Sequence, residues 1–172
     1  MNDALKRAED YFSRANELYS EHKYEGAVEA VERAIELAPG EPKYWYNRGV
    51  YQGMAGLHRE AVESFERVVS LEPAYSSAWF NMAVAYASLG MVERAIKAIT
   101  SFIEKEPANG DGWFNRACYF ALKRKEESAL SDLKRAIEID SKYGRIAADV
   151  DVLLELFALS NEFREMVGEV EE

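Results

Sequence analysis

The amino-acid sequence predicts an all-α fold, a solenoid of stacked antiparallel helix pairs with capping helices at its C-terminal end. The first observation behind this is a period of 34 residues, kept by Trp45, Trp79 and Trp113, by Pro39, Pro73 and Pro107, and by Ala27, Ala61, Ala95 and Ala129. The second is that apolar residues within each period recur at three- and four-residue spacing, the stripe of a helix with one buried face. The third is punctuation, with Gly or Pro falling between the stripes. Stepping back one period from Trp45 reaches Tyr11, and stepping forward from Pro107 reaches Ser141, so the aromatic and the terminator each change in one copy.

The copies run 8–41, 42–75, 76–109 and 110–143, making residues 1–143 the repeat region and 144–172 a terminal segment. In the second copy one helix is expected over 43–55, broken at Gly56, and another over 59–72, stopped by Pro73. Val62, Phe65, Val68 and Val69 form its buried stripe. Ala61 is small enough for close backbone approach within the pair, with the Trp45 ring packing nearby. His22 and Arg124 occupy the turn position that Gly56 and Gly90 hold elsewhere, which predicts two turns of different shape. In the terminal segment, Ile146, Val150, Leu153, Leu154 and Phe157 share one helix face. Phe163, Met166, Val167 and Val170 share another after Ser160. Two such helices would cover apolar surface left by the last repeat. The eight acids and two bases from Gly144 onward then form a solvated outer face, the alternative being an acidic recruitment tail.

Composition narrows the function. With 172 residues, 48% of them hydrophobic, the chain can bury a substantial core. A formal charge of -10 argues against a phosphate-binding surface, which needs an excess of Lys and Arg, so no nucleic-acid partner is expected. The single cysteine, Cys118, excludes an intramolecular disulfide and fits a reducing cytosol. The first residues lack the apolar core of a signal peptide, and no stretch approaches the roughly 18 apolar residues of a membrane span. A cytoplasmic protein without membrane contact is expected. Catalytic, cofactor and metal sites are expected to be absent. His22 and His58 fall near turns of different repeats without a second ligand at metal spacing. Cys118 has no histidine near it in the pattern, Lys123-Arg124-Lys125 is too short for a nucleic-acid site, and Glu126-Glu127 are neighbours on a helix surface. There is no glycine-rich phosphate loop.

Trp45, Arg48-Gly49, Ala61, Phe65 and Pro73 in their spacing resemble the signature of the tetratricopeptide repeat, and the four copies extend the resemblance over 136 of 172 residues. Ala15, Ala83 and Ala117 replace an early Gly, and Ser141 replaces the last Pro. Asn115-Arg-Ala-Cys-Tyr, Asp132-Leu-Lys-Arg-Ala-Ile, Arg145-Ile-Ala-Ala-Asp-Val-Asp and Phe163 resemble the end-of-group terminus of such arrays. The resemblance implies a right-handed superhelix and a non-enzymatic protein-protein interaction scaffold, whose first helices line a concave groove for a partner peptide or helix.

At the fifth position of the copies stand Phe12, Tyr46, Phe80 and Phe114, at the ninth Asn16, Val50, Val84 and Cys118, and at the sixth Asn47, Asn81 and Asn115. Rings can bury a partner's apolar side chains and amides can bond its backbone, although the same residues also serve packing between neighbouring helices. Family members that bind acidic chaperone C-termini resemble one another in a carboxylate clamp. Asn16 and Asn47 match it, but its cationic positions are filled here by Phe12, Ser77 and Asn81. An acidic C-terminal tail is therefore disfavoured and an apolar or basic segment favoured. The alternative is a self-associating structural protein, a homo-oligomer joined through edge or cap surfaces such as Leu153 to Phe157. Ala61→Leu is expected to overpack a helix contact and destabilise by about 1–3 kcal/mol, read as a lowered denaturant midpoint.

Overall fold

The computed structural model describes residues 3–157 and 160–168, and these form eleven helices with no strand among the described residues. Val170, expected on the last apolar face, lies outside them. The elements are α1 (Asp3–Ser20), α2 (Tyr24–Leu37), α3 (Pro42–Met54), α4 (His58–Leu71), α5 (Ser76–Ser88), α6 (Val92–Lys105), α7 (Gly110–Leu122), α8 (Glu126–Ile139), α9 (Lys142–Ala147), α10 (Asp151–Phe157) and α11 (Asn161–Val167). They fall into two compact units, Met1–Gly90 and Met91–Glu172, with the boundary at the turn inside the third repeat.

In the first unit α1 packs on α2 and α3 on α4, while α2 packs on α3 and α4 on α5. Small residues permit this closeness: Ala8, Ala15, Ala27, Ala34, Ala61, Ala78 and Ala83 are all fully buried. The ring that presses on a small residue in the second pair is Phe65, on Gly49, where an added Cβ would lie 2.7 Å from Phe65 Cε1. Trp45 packs instead against the core cluster that α2 shares with α3, and its Nε1 donates to the Pro39 carbonyl at 2.8 Å.

That bond recurs with the period. Trp79 Nε1 donates to the Pro73 carbonyl at 3.1 Å and Trp113 Nε1 to the Pro107 carbonyl at 3.0 Å. Each Pro follows a helix it cannot continue. Its carbonyl is then held by the first helix of the next repeat, so helix termination and repeat stacking share one contact. In the fourth copy Ser141 stands at the proline position and adopts helical angles (φ -58°, ψ -16°), and α9 starts on the next residue.

The turns inside the repeats are alike. Gly56 and Gly90 have φ of +79° and +70°, and His22 and Arg124 have φ of +59° and +55°. The sequence-based expectation of two differently shaped turns is therefore corrected. In three of the turns the next residue's N–H reaches back to a helix carbonyl: Lys23 to Leu18 at 2.9 Å, Leu57 to Gln52 at 2.8 Å, Lys125 to Phe120 at 3.0 Å. This bond pattern ends a helix with a left-handed residue whatever its side chain.

In the second unit α6 packs on α7 and α7 on α8, then α9 lies against α8, α10 against α7 and α11 against α9. Leu153, Phe157 and Phe163 are buried with Ala117, Ala121, Ala129 and Leu133, and the Phe157 and Phe163 rings stack at 5.1 Å. Ile146 does not join this face: it is on α9, is 41% exposed, and leaves Tyr143, Gly144 and Ala147 as the buried residues of that helix. The reason is the break after α9, which puts Ile146 and Leu153 on separate helices.

A non-glycine residue in the left-handed region costs roughly 1–2 kcal/mol, partly offset by the extra chain entropy glycine loses on folding. Arg124→Gly is accordingly expected to raise stability by about 0.5–1 kcal/mol, and Gly56→Ala, where an added Cβ meets nothing within 4 Å, to lower it through backbone strain alone. Thermal unfolding of the two variants beside the parent checks both signs.

Candidate functional site

Two half-buried arginines fix how consecutive helix pairs face each other. Arg48 on α3 donates from Nε and Nη2 to Glu32 of α2 at 2.9 and 2.8 Å, and from Nη1 to Ser64 of α4 at 3.0 Å. Ser64 is fully buried and its hydroxyl donates on to Gln52 Oε1 at 2.6 Å. Arg116 on α7 repeats the construction with the partners exchanged. Its Nε and Nη2 donate to Asp132 of α8 at 2.7 and 2.9 Å, and its Nη1 to Thr100 of α6 at 3.1 Å. In both cases one carboxylate and one hydroxyl accept from the guanidinium, which offsets its partial removal from water. At the corresponding place in the third copy stands Met82, buried on α5, and Glu66 accepts instead from the Tyr86 hydroxyl at 2.8 Å.

On this scaffold the first unit carries a hollow of about 300 Å³ between α3, α4 and α5. Tyr46, Val50, Asn81 and Val84, all expected at a binding surface, line it, together with Met54, His58, Ala61 and Phe65. Gly49 and Gly53, one turn apart on α3, and Ala85 on α5 complete the lining. Val84 is 41% and Met54 52% exposed, so apolar surface stands open to solvent at its rim. Asn81 Nδ2 donates to the Tyr46 hydroxyl at 2.9 Å, tying α5 to α3 across the hollow. None of the lining residues is Lys or Arg.

The remaining expected residues divide differently. Phe12 packs its ring against Tyr44 at 5.1 Å, and Asn16 accepts from the Tyr51 hydroxyl at 2.7 Å. Asn47 and Asn115 each donate to a carbonyl one turn back on their own helix, Lys43 at 2.7 Å and Asp111 at 2.8 Å. Phe80 is half-buried on α5 and does not line the hollow. Phe114 and Cys118 pack on the core of the second unit. Two fifth-position rings are packed by the last residue of their own repeat, Tyr46 by a tilted Tyr75 at 5.0 Å and Phe114 by a stacked Tyr143 at 5.4 Å. Of the four fifth-position rings, Tyr46 is the one that lines the hollow. Met54 and His58 were not expected there. They stand at the end of α3 and the start of α4, beside Gly53, where an added Cβ would meet nothing within 4 Å.

Burial pushes the Cys118 thiol up to about 11 and the Tyr51 and Tyr119 hydroxyls to about 12, so all three remain neutral at physiological pH. No group of three or more His, Cys, Asp or Glu among the described residues is placed to hold a metal ion.

Helix pairs in a 34-residue register, stapled at each junction by an indole and a proline carbonyl, define an α-helical repeat protein. The chain belongs to the tetratricopeptide repeat family, whose sequence profile matches residues 12–52, 54–99 and 80–143. Serine/threonine-protein phosphatase 5 of Arabidopsis thaliana is 43% identical over 47 residues, 27% of this chain and only 9% of the phosphatase. The crystal structure of MamA superposes with a TM-score of 0.85 at 16% identity, covering 95% of this chain and 90% of MamA. The first TPR domain of Spaghetti (RPAP3), solved with the HSP90 peptide SRMEEVD bound, gives a TM-score of 0.63 at 20% identity over 65% of this chain and 89% of that one. The fold class is the all-α tetratricopeptide solenoid.

A thiol with its folded value near 11 holds on the order of 100-fold less thiolate at pH 8 than one at the usual 9. Alkylation of Cys118 by iodoacetamide at pH 8 is expected to be slower by that order in the native protein than in the urea-unfolded chain. Its folded value lies above the unfolded one, so this group's contribution to stability is complete below pH 9 and declines as pH rises towards 11.

Proposed function

We propose that the protein is a non-enzymatic interaction scaffold of the cytoplasm and that the hollow lined by Tyr46, Val50, Asn81 and Val84 receives an apolar side chain of an extended or helical partner segment. The observation that carries this reading is the open apolar rim of that hollow, with Met54 and Val84 more than two-fifths exposed beside a tyrosine and an asparagine. A carboxamide has two donors and two acceptor lone pairs, so Asn81 keeps capacity for a partner's backbone beyond its bond to Tyr46. With no Lys or Arg around it the hollow offers no charge-assisted bond to a terminal carboxylate, and the chain's -10 charge favours an apolar or basic segment over an acidic tail.

In this reading Phe12, Asn16, Asn47 and Phe80 flank the same surface of the first unit, and Phe114, Asn115 and Cys118 mark the corresponding positions of the second. The division into four repeats over residues 8–143 with a cap over 144–172 belongs to the same proposal. The alternative is a self-associating protein joined through cap or edge surfaces; of the Leu153 to Phe157 face, Leu153 and Phe157 are buried in the core of the second unit and Leu154 is half-buried. No helix among the described residues is long and apolar enough to cross a membrane.

Selection of a phage-displayed dodecapeptide library on the immobilised full chain is expected to enrich aliphatic or aromatic residues flanked by Lys or Arg. Filling a hollow with one such side chain is worth about 1.5–3 kcal/mol, so Val84→Glu is expected to weaken a selected peptide by roughly 10- to 100-fold with helicity unchanged. Equal affinity for the variant would remove the hollow from the binding surface.

A further inference from the structure

We propose that a second hollow, formed in the second unit by the start of α8 and the end of α10, docks a basic segment of another protein that presents aliphatic side chains between Lys or Arg residues. The site is separate from the hollow on α3–α5. Its volume is about 520 Å³. Leu130 and Leu156, both half-buried, and the buried Phe157 give it an apolar floor, and Glu126, Glu127 and Glu155 stand exposed around that floor. None of the described residues in its walls is Lys or Arg.

Other exposed glutamates of the chain are paired, Glu17 with Arg14, Glu36 with Arg33 and Glu138 with Arg135. Among the described residues no ion pair or side-chain hydrogen bond reaches Glu126, Glu127 or Glu155. Two of the three bases that precede α8 are engaged elsewhere: Lys123 pairs with Glu93, and Lys125 lies over the Phe120 ring at 5.9 Å. Helix stability accounts for Glu126 and Glu127, in the first turn of α8, where the helix dipole favours negative charge. It does not account for Glu155, in the last turn of α10, where the dipole favours a cation. A third acid at this place on a chain of charge -10 adds repulsion that an incoming cation would relieve. No group of three or more His, Cys, Asp or Glu among the described residues is placed to hold a metal ion, so the three carboxylates do not converge on one point. Their spread around a floor of two leucines and a phenylalanine matches an extended occupant with several cations and apolar side chains between them. Lys and Arg suit that floor further, because their aliphatic stems cover apolar surface while the charged ends reach the rim.

The probe is a labelled peptide, Gly-Lys-Arg-Leu-Leu-Arg-Lys-Gly, titrated by fluorescence anisotropy with the full chain carrying Val84→Arg, which sets the hollow on α3–α5 against a basic ligand. Saturable binding that weakens with added salt is expected. Glu127→Lys combined with Glu155→Lys should weaken it by at least about tenfold, whereas the same change of charge on α4, Glu60→Lys with Glu63→Lys, should cost less than about threefold. Replacing both leucines of the peptide by serine should cost about tenfold, the share of the apolar floor. Glu155→Gln should weaken binding while keeping or raising the thermal midpoint, a combination that a purely structural role for Glu155 would not produce, and it carries the test should the double variant not fold. Absence of saturable binding, equal loss in the two double variants, or indifference to the leucines would overturn the proposal. A chain that dimerises in sedimentation and loses the dimer on Glu127→Lys with Glu155→Lys would overturn it as well, by giving the hollow to a second copy.

Discussion

The junction between one repeat and the next is the contact on which the rest of the structure depends. A helix pair cannot bury its apolar stripe alone, so the stability of such an array resides in its neighbour interfaces. Here each of three junctions is pinned by an indole N–H on a proline carbonyl, and two of them also by a guanidinium reaching both ways. Hydrophobic burial supplies most of the free energy, but it does not fix register. The directional bonds do, and they place Tyr46, Val50, Asn81 and Val84 around one hollow.

Most of the fold was legible because it is written in spacing. The second pair was expected over 43–55 and 59–72 and lies over 42–54 and 58–71, since glycine and proline mark those boundaries directly. What escaped depended on tertiary contact. The turns at His22 and Arg124 take the same left-handed form as those at Gly56 and Gly90, because helix packing on either side outweighs the cost of a side chain there. Ile146 looked like a member of the capping face because an unbroken helix was assumed; the interruption after Ala147 moved it to solvent.

The candidate site was legible in part for a similar reason. Periodicity identified which positions recur, but not which recurring side chain a neighbour already holds. Tyr75 and Tyr143 pack on Tyr46 and Phe114, and no rule of spacing announces that the last residue of a repeat folds back on its fifth. Asn47 and Asn115 satisfy carbonyls of their own helices, whereas Asn81 reaches across to Tyr46, so three residues that look identical in sequence have different roles.

The exchange of acid and hydroxyl around the two arginines makes the repeats non-interchangeable. Arg48 takes its charge from the repeat before it and its hydroxyl from its own, and Arg116 does the reverse. A recombination joining the first repeat directly to the fourth would crowd Glu32 and Asp132 onto one guanidinium. One placing the second repeat after the third would offer Arg48 only Thr100 and Ser64, leaving a half-buried cation without a counter-charge. Rearrangements of these two kinds are thereby penalised at the joint, whereas a tandem copy of the second repeat would meet Glu66 in the place of Glu32 and keep the pair.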